Sequence, residues 1–128
     1  ANDPTAGGAI ASLKAAGVSP LPPVTGQDAE LAGLQRILTG DQYMTVYKAL
    51  RPQAFLAAEL AIDLVNDRHP DGRVEVVGGD ARIPSFLLEP LPVMRDDIAS
   101  VVIADGFFTL AQLCTADYSA VCEEAGLR

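Results

Sequence analysis

Three polar residues combine a suitable chemistry with a suitable place: Asn2, Asp28 and Lys48. Asn2 stands just before a helix, Asp28 just after a first extended run, and Lys48 at the end of a second. In an α/β sheet these are carboxyl-terminal strand ends, the edge where open parallel sheets take their ligands. An amide donates and accepts, a carboxylate accepts from two neighbouring hydroxyls, and an ammonium donates up to three bonds. Together they suit a neutral, polyhydroxylated ligand, with charge-assisted hydrogen bonds as the strong contacts. The same residues also have plain structural uses. Asp28 can cap a helix, Asn2 can belong to a capping turn, and Lys48 can be a solvated strand end. Residue types alone leave both readings open.

Other chemistry finds little support. No G-x-S-x-G, Walker A or G-x-G-x-x-G pattern occurs, and Gly7-Gly8 lies inside a helical stretch. The single histidine, His69, sits between Arg68 and Pro70 and reads as a solvated loop residue. Asp96-Asp97 and Glu123-Glu124 read as solvated charges at helix ends. Cys114 and Cys122 are the only cysteines, too few with one distant histidine for a zinc site. They are either two buried thiols or a disulfide, which would imply an oxidising compartment. No metal, no cofactor and no enzymatic activity is expected.

The elements that must position these residues follow from periodicity. Residues 4–16 carry Ala6, Ala9, Ile10 and Leu13 at helical steps, with Asp3 as the expected N-cap and Gly17 as the stop. Gly7 and Gly8 would let this helix approach a sheet closely. Residues 21–25 form a Pro-flanked extended run, residues 28–38 a second helix, and residues 43–47 a strand. The longest helix spans 51–66, with Phe55, Ala58, Ile62 and Val65 on one face. Residues 67–82 read as a loop or ragged hairpin, and 83–94 as an extended run broken by Pro84, Pro90 and Pro92. One or two helical turns at 96–103 and a helical region at 110–126 complete the chain. Alternating helices and strands indicate an α/β protein with a parallel sheet.

A length of 128 residues allows one ordinary domain. Lys and Arg number 9 against 17 Asp and Glu, a net charge of −8 that argues against nucleic acid as a partner. No apolar run reaches the roughly 20 residues needed to span a bilayer. The chain opens without Met, on a helix that no strand precedes, which is expected of a piece of something larger.

Taken together, the stretches Ala1-Asn2-Asp3-Pro4-Thr5-Ala6-Gly7-Gly8-Ala9, Val24-Thr25-Gly26-Gln27-Asp28-Ala29-Glu30 and Gln42-Tyr43-Met44-Thr45-Val46-Tyr47-Lys48 resemble one family. It is the periplasmic sugar-binding proteins of bacterial ABC importers, in their carboxyl-terminal part, nearest the D-xylose-binding group. Residues 83–93 and Asp105-Gly106-Phe107-Phe108-Thr109 resemble it as well, whereas 66–82 and the tail beyond Cys114 do not. The resemblance implies an incomplete part of a two-lobed fold whose parallel sheets are flanked by helices and which closes on a sugar. It implies sugar contacts at Asn2, Asp28 and Lys48, with Gln27 shaping the pocket. It places residues 1–48 in the carboxyl-terminal lobe, 49–89 in a segment crossing to the other lobe, and 90–128 in a return crossing with a helical tail. Family members are more than twice as long, so a missing amino-terminal portion or partner chain is expected to complete the site. The implied function is monosaccharide delivery to a membrane permease outside the cytoplasm, a setting that favours the Cys114–Cys122 disulfide. The alternative is the sugar-sensing domain of a transcription regulator, and an α/β enzyme with its active site elsewhere is a third reading.

Overall fold

The computed structural model describes residues 1–127. Contacts divide the chain into two compact units, Ala1–Lys48 with Pro90–Arg128, and Ala49–Glu89. In the first unit, α1 (Asp3–Ala15) begins with Asn2, not Asp3, as its N-cap. The Asn2 Oδ1 accepts from the Thr5 amide at 3.3 Å and the Thr5 hydroxyl at 2.8 Å. Asp3 instead lies within the first turn and is wholly buried. Ala6 and Ile10 face the core, and Gly17 ends the helix with φ +72°. Gly7 approaches a helix and not a sheet: a Cβ there would lie 3.0 Å from the guanidinium of Arg36.

The run before Thr25 is not a full strand. Pro20, Pro22 and Pro23 have no N–H to give a ladder, so pairing starts only at Val24. From there the Tyr43 amide donates to the Val24 carbonyl (2.8 Å), the Gly26 amide to Met44 (2.9 Å), and the Asp28 amide to Val46 (2.9 Å). These evenly spaced bonds, with the parallel bridge between Thr25 and Met44, make residues 24–28 and 43–46 run side by side in one direction. The second helix is shorter than expected. Asp28 and Ala29 have φ of +91° and +49°, so α2 (Leu31–Leu38) starts only after its N-cap Glu30. It buries Gly33, Leu34, Ile37 and Leu38, and Gly40 turns the chain out of it at φ +81°.

Strand β1 (Thr45–Tyr47) has a second neighbour in β4 (Leu91–Val93), which pairs with it antiparallel, Thr45 opposite Val93 and Tyr47 opposite Leu91. The sheet of β1 and β4 is two-stranded and antiparallel, as is the hairpin of the second unit, so parallel pairing is confined, among the described residues, to residues 24–28 beside 43–46. After β4 come a 3-10 turn (Arg95–Asp97), a π-helical segment (Ile98–Ile103), α4 (Leu110–Leu113) and α5 (Ser119–Glu124). Val93, Ile98, Val102, Leu113 and Cys122 from these pieces join Leu34, Leu38 and Tyr47 in the core. A disulfide joins Cys114 to Cys122, with their Cα atoms 5.9 Å apart. The buried Tyr47 packs edge-on against Phe107, ring centroids 5.1 Å apart, and its hydroxyl bonds the Asp105 carboxylate.

The second unit is spliced between β1 and β4. Its helix α3 (Leu50–Val65) buries no residue: Leu50, Phe55 and Ile62 are all more than half exposed. In place of the loop or ragged hairpin expected at 67–82 stands a regular hairpin, β2 (Val74–Gly78) and β3 (Ala81–Ser85), whose second strand runs into the expected extended run; Gly79-Asp80 joins the two, with Gly79 at φ +60°. Among the described residues no helix is long and apolar enough to cross a membrane.

Candidate functional site

Parallel strands end side by side, and here the ends carry charge. Asp28 closes the first run and Lys48 follows β1, so their side chains meet with Lys48 Nζ 2.6 Å from Asp28 Oδ1. Both stay accessible, 37% exposed for Asp28 and 45% for Lys48. An ion pair this exposed adds little to folding stability. The hydrogen bond from Lys48 holds the Asp28 carboxyl below its ordinary value of 3.8; partial burial opposes this, while the Lys48 charge and the Gln27 side chain add to it. At neutral pH the pair therefore offers a carboxylate acceptor beside an ammonium donor.

Gln27 helps to lower the Asp28 carboxyl through its side chain, and its carbonyl accepts the Asp3 amide at 2.9 Å. That backbone bond sets Asn2 at the same edge, one residue away. Asn2 keeps its capping duty as well, so its Oδ1 is engaged with Thr5. Asp28 is not a helix cap, because two left-handed residues and Glu30 separate its own turn from α2. His69 is exposed in the second unit. Asp97 accepts from the Met94 amide at 3.0 Å, a local turn contact. A separate groove of about 370 Å³ lies against Pro22, Pro23, Tyr43 and Met94, at the beginnings of the same strands, and includes neither Asp28 nor Lys48.

The residues that sequence reasoning missed lie directly beneath this edge. The buried Asp3 carboxylate accepts from Gln42 Nε2 (2.7 Å), the Glu30 amide (2.8 Å) and the Thr45 hydroxyl (2.9 Å). Gly26 and Gly33 make room for it: a Cβ at either position would lie 2.0 Å or 2.4 Å from a carboxylate oxygen. Asp before Pro at a helix start reads as a cap. In the sequence the contrary signals are Gly26, Gly33 and a threonine, Thr45, inside an otherwise apolar strand.

The family model for the periplasmic binding protein domain matches residues 1–69, more than half of the chain. The chain belongs to the periplasmic binding protein family. Within this family it is 45% identical over 112 residues to the D-xylose-binding periplasmic protein of Escherichia coli K12, covering 88% of this chain and 34% of that protein. The multiple sugar-binding periplasmic protein SbpA of Azospirillum brasilense is 32% identical, over 82% of this chain and 31% of that protein. Among solved structures, a carbohydrate transporter solute-binding protein from Chloroflexus aurantiacus in complex with D-glucose superposes with a TM-score of 0.81 at 32% identity, covering 87% of this chain and 33% of that one. This periplasmic binding protein chain thus spans about a third of the length of the curated relatives it matches. The names of these relatives describe sugar binding, and that of the matched structure a carbohydrate transporter.

Proposed function

We propose that this chain is part of the sugar-binding component of an ABC importer and that Asn2, Asp28 and Lys48 contact the hydroxyls of a monosaccharide such as D-xylose. The observation that carries the reading is the accessible Asp28–Lys48 pair on adjacent parallel strand ends. A pair that adds little to the fold can exchange its mutual contact for two vicinal hydroxyls, one donating to Asp28 and the other accepting from Lys48. Gln27, next to Asp28 in the chain, shapes the same edge. The D-xylose and D-glucose named for the relatives have the neutral, polyhydroxylated chemistry that such a constellation fits.

On the same reading residues 1–48 and 90–128 belong largely to one lobe and its crossings, and 49–89 to the other. Polypeptide beyond these residues supplies the remaining sugar contacts, and the partner is a membrane permease. The periplasmic names of the relatives and the Cys114–Cys122 disulfide both support a place outside the cytoplasm.

Calorimetric titration of D-xylose, D-glucose and L-arabinose into the natural full-length polypeptide tests the reading. The expected result is tight binding of one sugar, lost in Asp28→Ala and Lys48→Ala and kept in His69→Ala. A folded protein that binds none of them, or binds one equally well without Asp28, refutes it.

A further inference from the structure

The turn that presents Asp28 has an unfavourable backbone. Asp28 and Ala29 both occupy left-handed φ, +91° and +49°. Aspartate tolerates that region through local side-chain bonds, but alanine has none to make. Ala29 is also fully buried, so its conformation must be imposed by neighbours.

Those neighbours are visible at every residue of the turn. The Gln27 carbonyl accepts the Asp3 amide (2.9 Å) and the Asp28 amide donates to Val46 (2.9 Å). The Ala29 amide donates to Thr45 Oγ1 (3.1 Å) and the Glu30 amide to Asp3 Oδ2 (2.8 Å). Asp3 and Thr45 thus provide three of the four anchors, and they are joined to each other: the Thr45 hydroxyl donates to the same Asp3 oxygen (2.9 Å). A carboxylate only accepts, so the Thr45 proton is committed to Asp3 and its lone pair is left facing the Ala29 N–H. The other Asp3 oxygen takes Gln42 Nε2 (2.7 Å), and Arg36 fixes that amide's orientation by donating to Gln42 Oε1 (3.1 Å).

We propose that Asp3 and Thr45 are positioning residues for the sugar site: a buried clamp that holds the 27–30 turn left-handed and so aims Asp28 at Lys48 and at the ligand. The inference rests on the sugar-binding reading for its consequence, and on hydrogen-bond geometry for the clamp itself.

The test compares Thr45→Val, which keeps the shape and removes the hydroxyl, with Thr45→Ser, which restores it, and with Asp3→Asn. Val102→Ala, a core truncation elsewhere in the same unit, controls for lost stability. Two readouts are taken on the natural full-length polypeptide: D-xylose affinity by calorimetry, and the titration of the Asp28 carboxyl by carbon NMR without sugar. Thr45→Val and Asp3→Asn are expected to weaken D-xylose about tenfold or more, the scale of one lost charge-assisted contact. They are also expected to let the Asp28 carboxyl drift up towards 3.8 as its contact with Lys48 loosens. Thr45→Ser and Val102→Ala are expected to change neither. Lys48 and Gln27 act on the Asp28 carboxyl and are unaltered in every variant. An unmoved Asp28 titration in folded Thr45→Val overturns the clamp, whether or not Asp3→Asn folds. If the parent protein binds no sugar, the sugar-binding reading fails by itself and the titration still decides the clamp.

Discussion

Adding one methyl group to Gly33 is expected to destabilise the protein, although the same change stabilises an ordinary helix. Gly33 lies inside α2, where replacing glycine by alanine normally gains about 1 kcal/mol. Here the new Cβ would sit 2.4 Å from Asp3 Oδ2 and 2.5 Å from its Cγ, against the 3.4 Å at which ordinary contact begins. Something must move by about 1 Å, and Asp3 is the least free to move. Its carboxylate is tied to Gln42, Glu30 and Thr45, and its carbonyl accepts from the Arg36 guanidinium at 2.7 Å. Breaking one charge-assisted bond costs about 1.5–3 kcal/mol, and overpacking adds about 1–3 kcal/mol. Set against the helix gain, the net loss for Gly33→Ala is about 1.5–5 kcal/mol. Gly8, with nothing within 4 Å of its would-be Cβ, is the internal contrast: Gly8→Ala should stabilise by up to about 1 kcal/mol. Urea unfolding of the two variants and the parent, followed by circular dichroism, reads both signs. Equal or greater stability in Gly33→Ala would refute the argument that the cleft between α1 and α2 is shaped around a buried carboxylate.

Other expectations follow from the same contacts. Because Lys48 lowers the Asp28 carboxyl below 3.8, the carboxylate and its pair are complete above that pH and are lost as the pH falls through the lowered value. Sugar affinity measured calorimetrically should thus be level across about pH 5–8 and fall only in acid, whereas a decline near pH 6–7 would implicate another group. Replacing Cys114 and Cys122 with alanine opens a cross-link of sequence separation 8, worth about 2.5 kcal/mol of chain entropy; the melting temperature should drop in the variant and, on reduction, in the parent. Tyr47→Phe removes the hydroxyl bond to Asp105 but leaves an exposed carboxylate that water can serve, so a loss of about 1 kcal/mol is expected in urea unfolding.

The fold was legible where local signals and tertiary structure agree. Helical periodicity located α1, α2 and α3 within a few residues, and Gly17 and Gly40 marked their exits. The start of α2 was misread because Asp28 resembles an N-cap, and nothing local shows that Asp28 and Ala29 turn left-handed under the hold of Asp3 and Thr45. Those contacts bridge 27 and 16 residues. The strand expected at 21–25 shrank because Pro20, Pro22 and Pro23 cannot donate to a ladder, whatever the apolar pattern of the residues around them. For α3 the apolar face was read correctly as a pattern, and it lies exposed, since the period of a helix does not say what covers it. In the site, Asp28 and Lys48 were legible from strand-end logic, because parallel strands align their carboxyl ends whatever lies between them. Asn2 turned out to combine the capping role with a place at the same edge.

Sugar binding at the Asp28–Lys48 edge is tested most directly by a crystal structure of the natural full-length polypeptide grown with D-xylose. Sugar hydroxyls are expected within about 2.6–3.2 Å of the Asp28 carboxylate and the Lys48 ammonium, with Asn2 at the same edge. A sugar bound elsewhere, with the Asp28–Lys48 pair closed on itself as it is here, would contradict it.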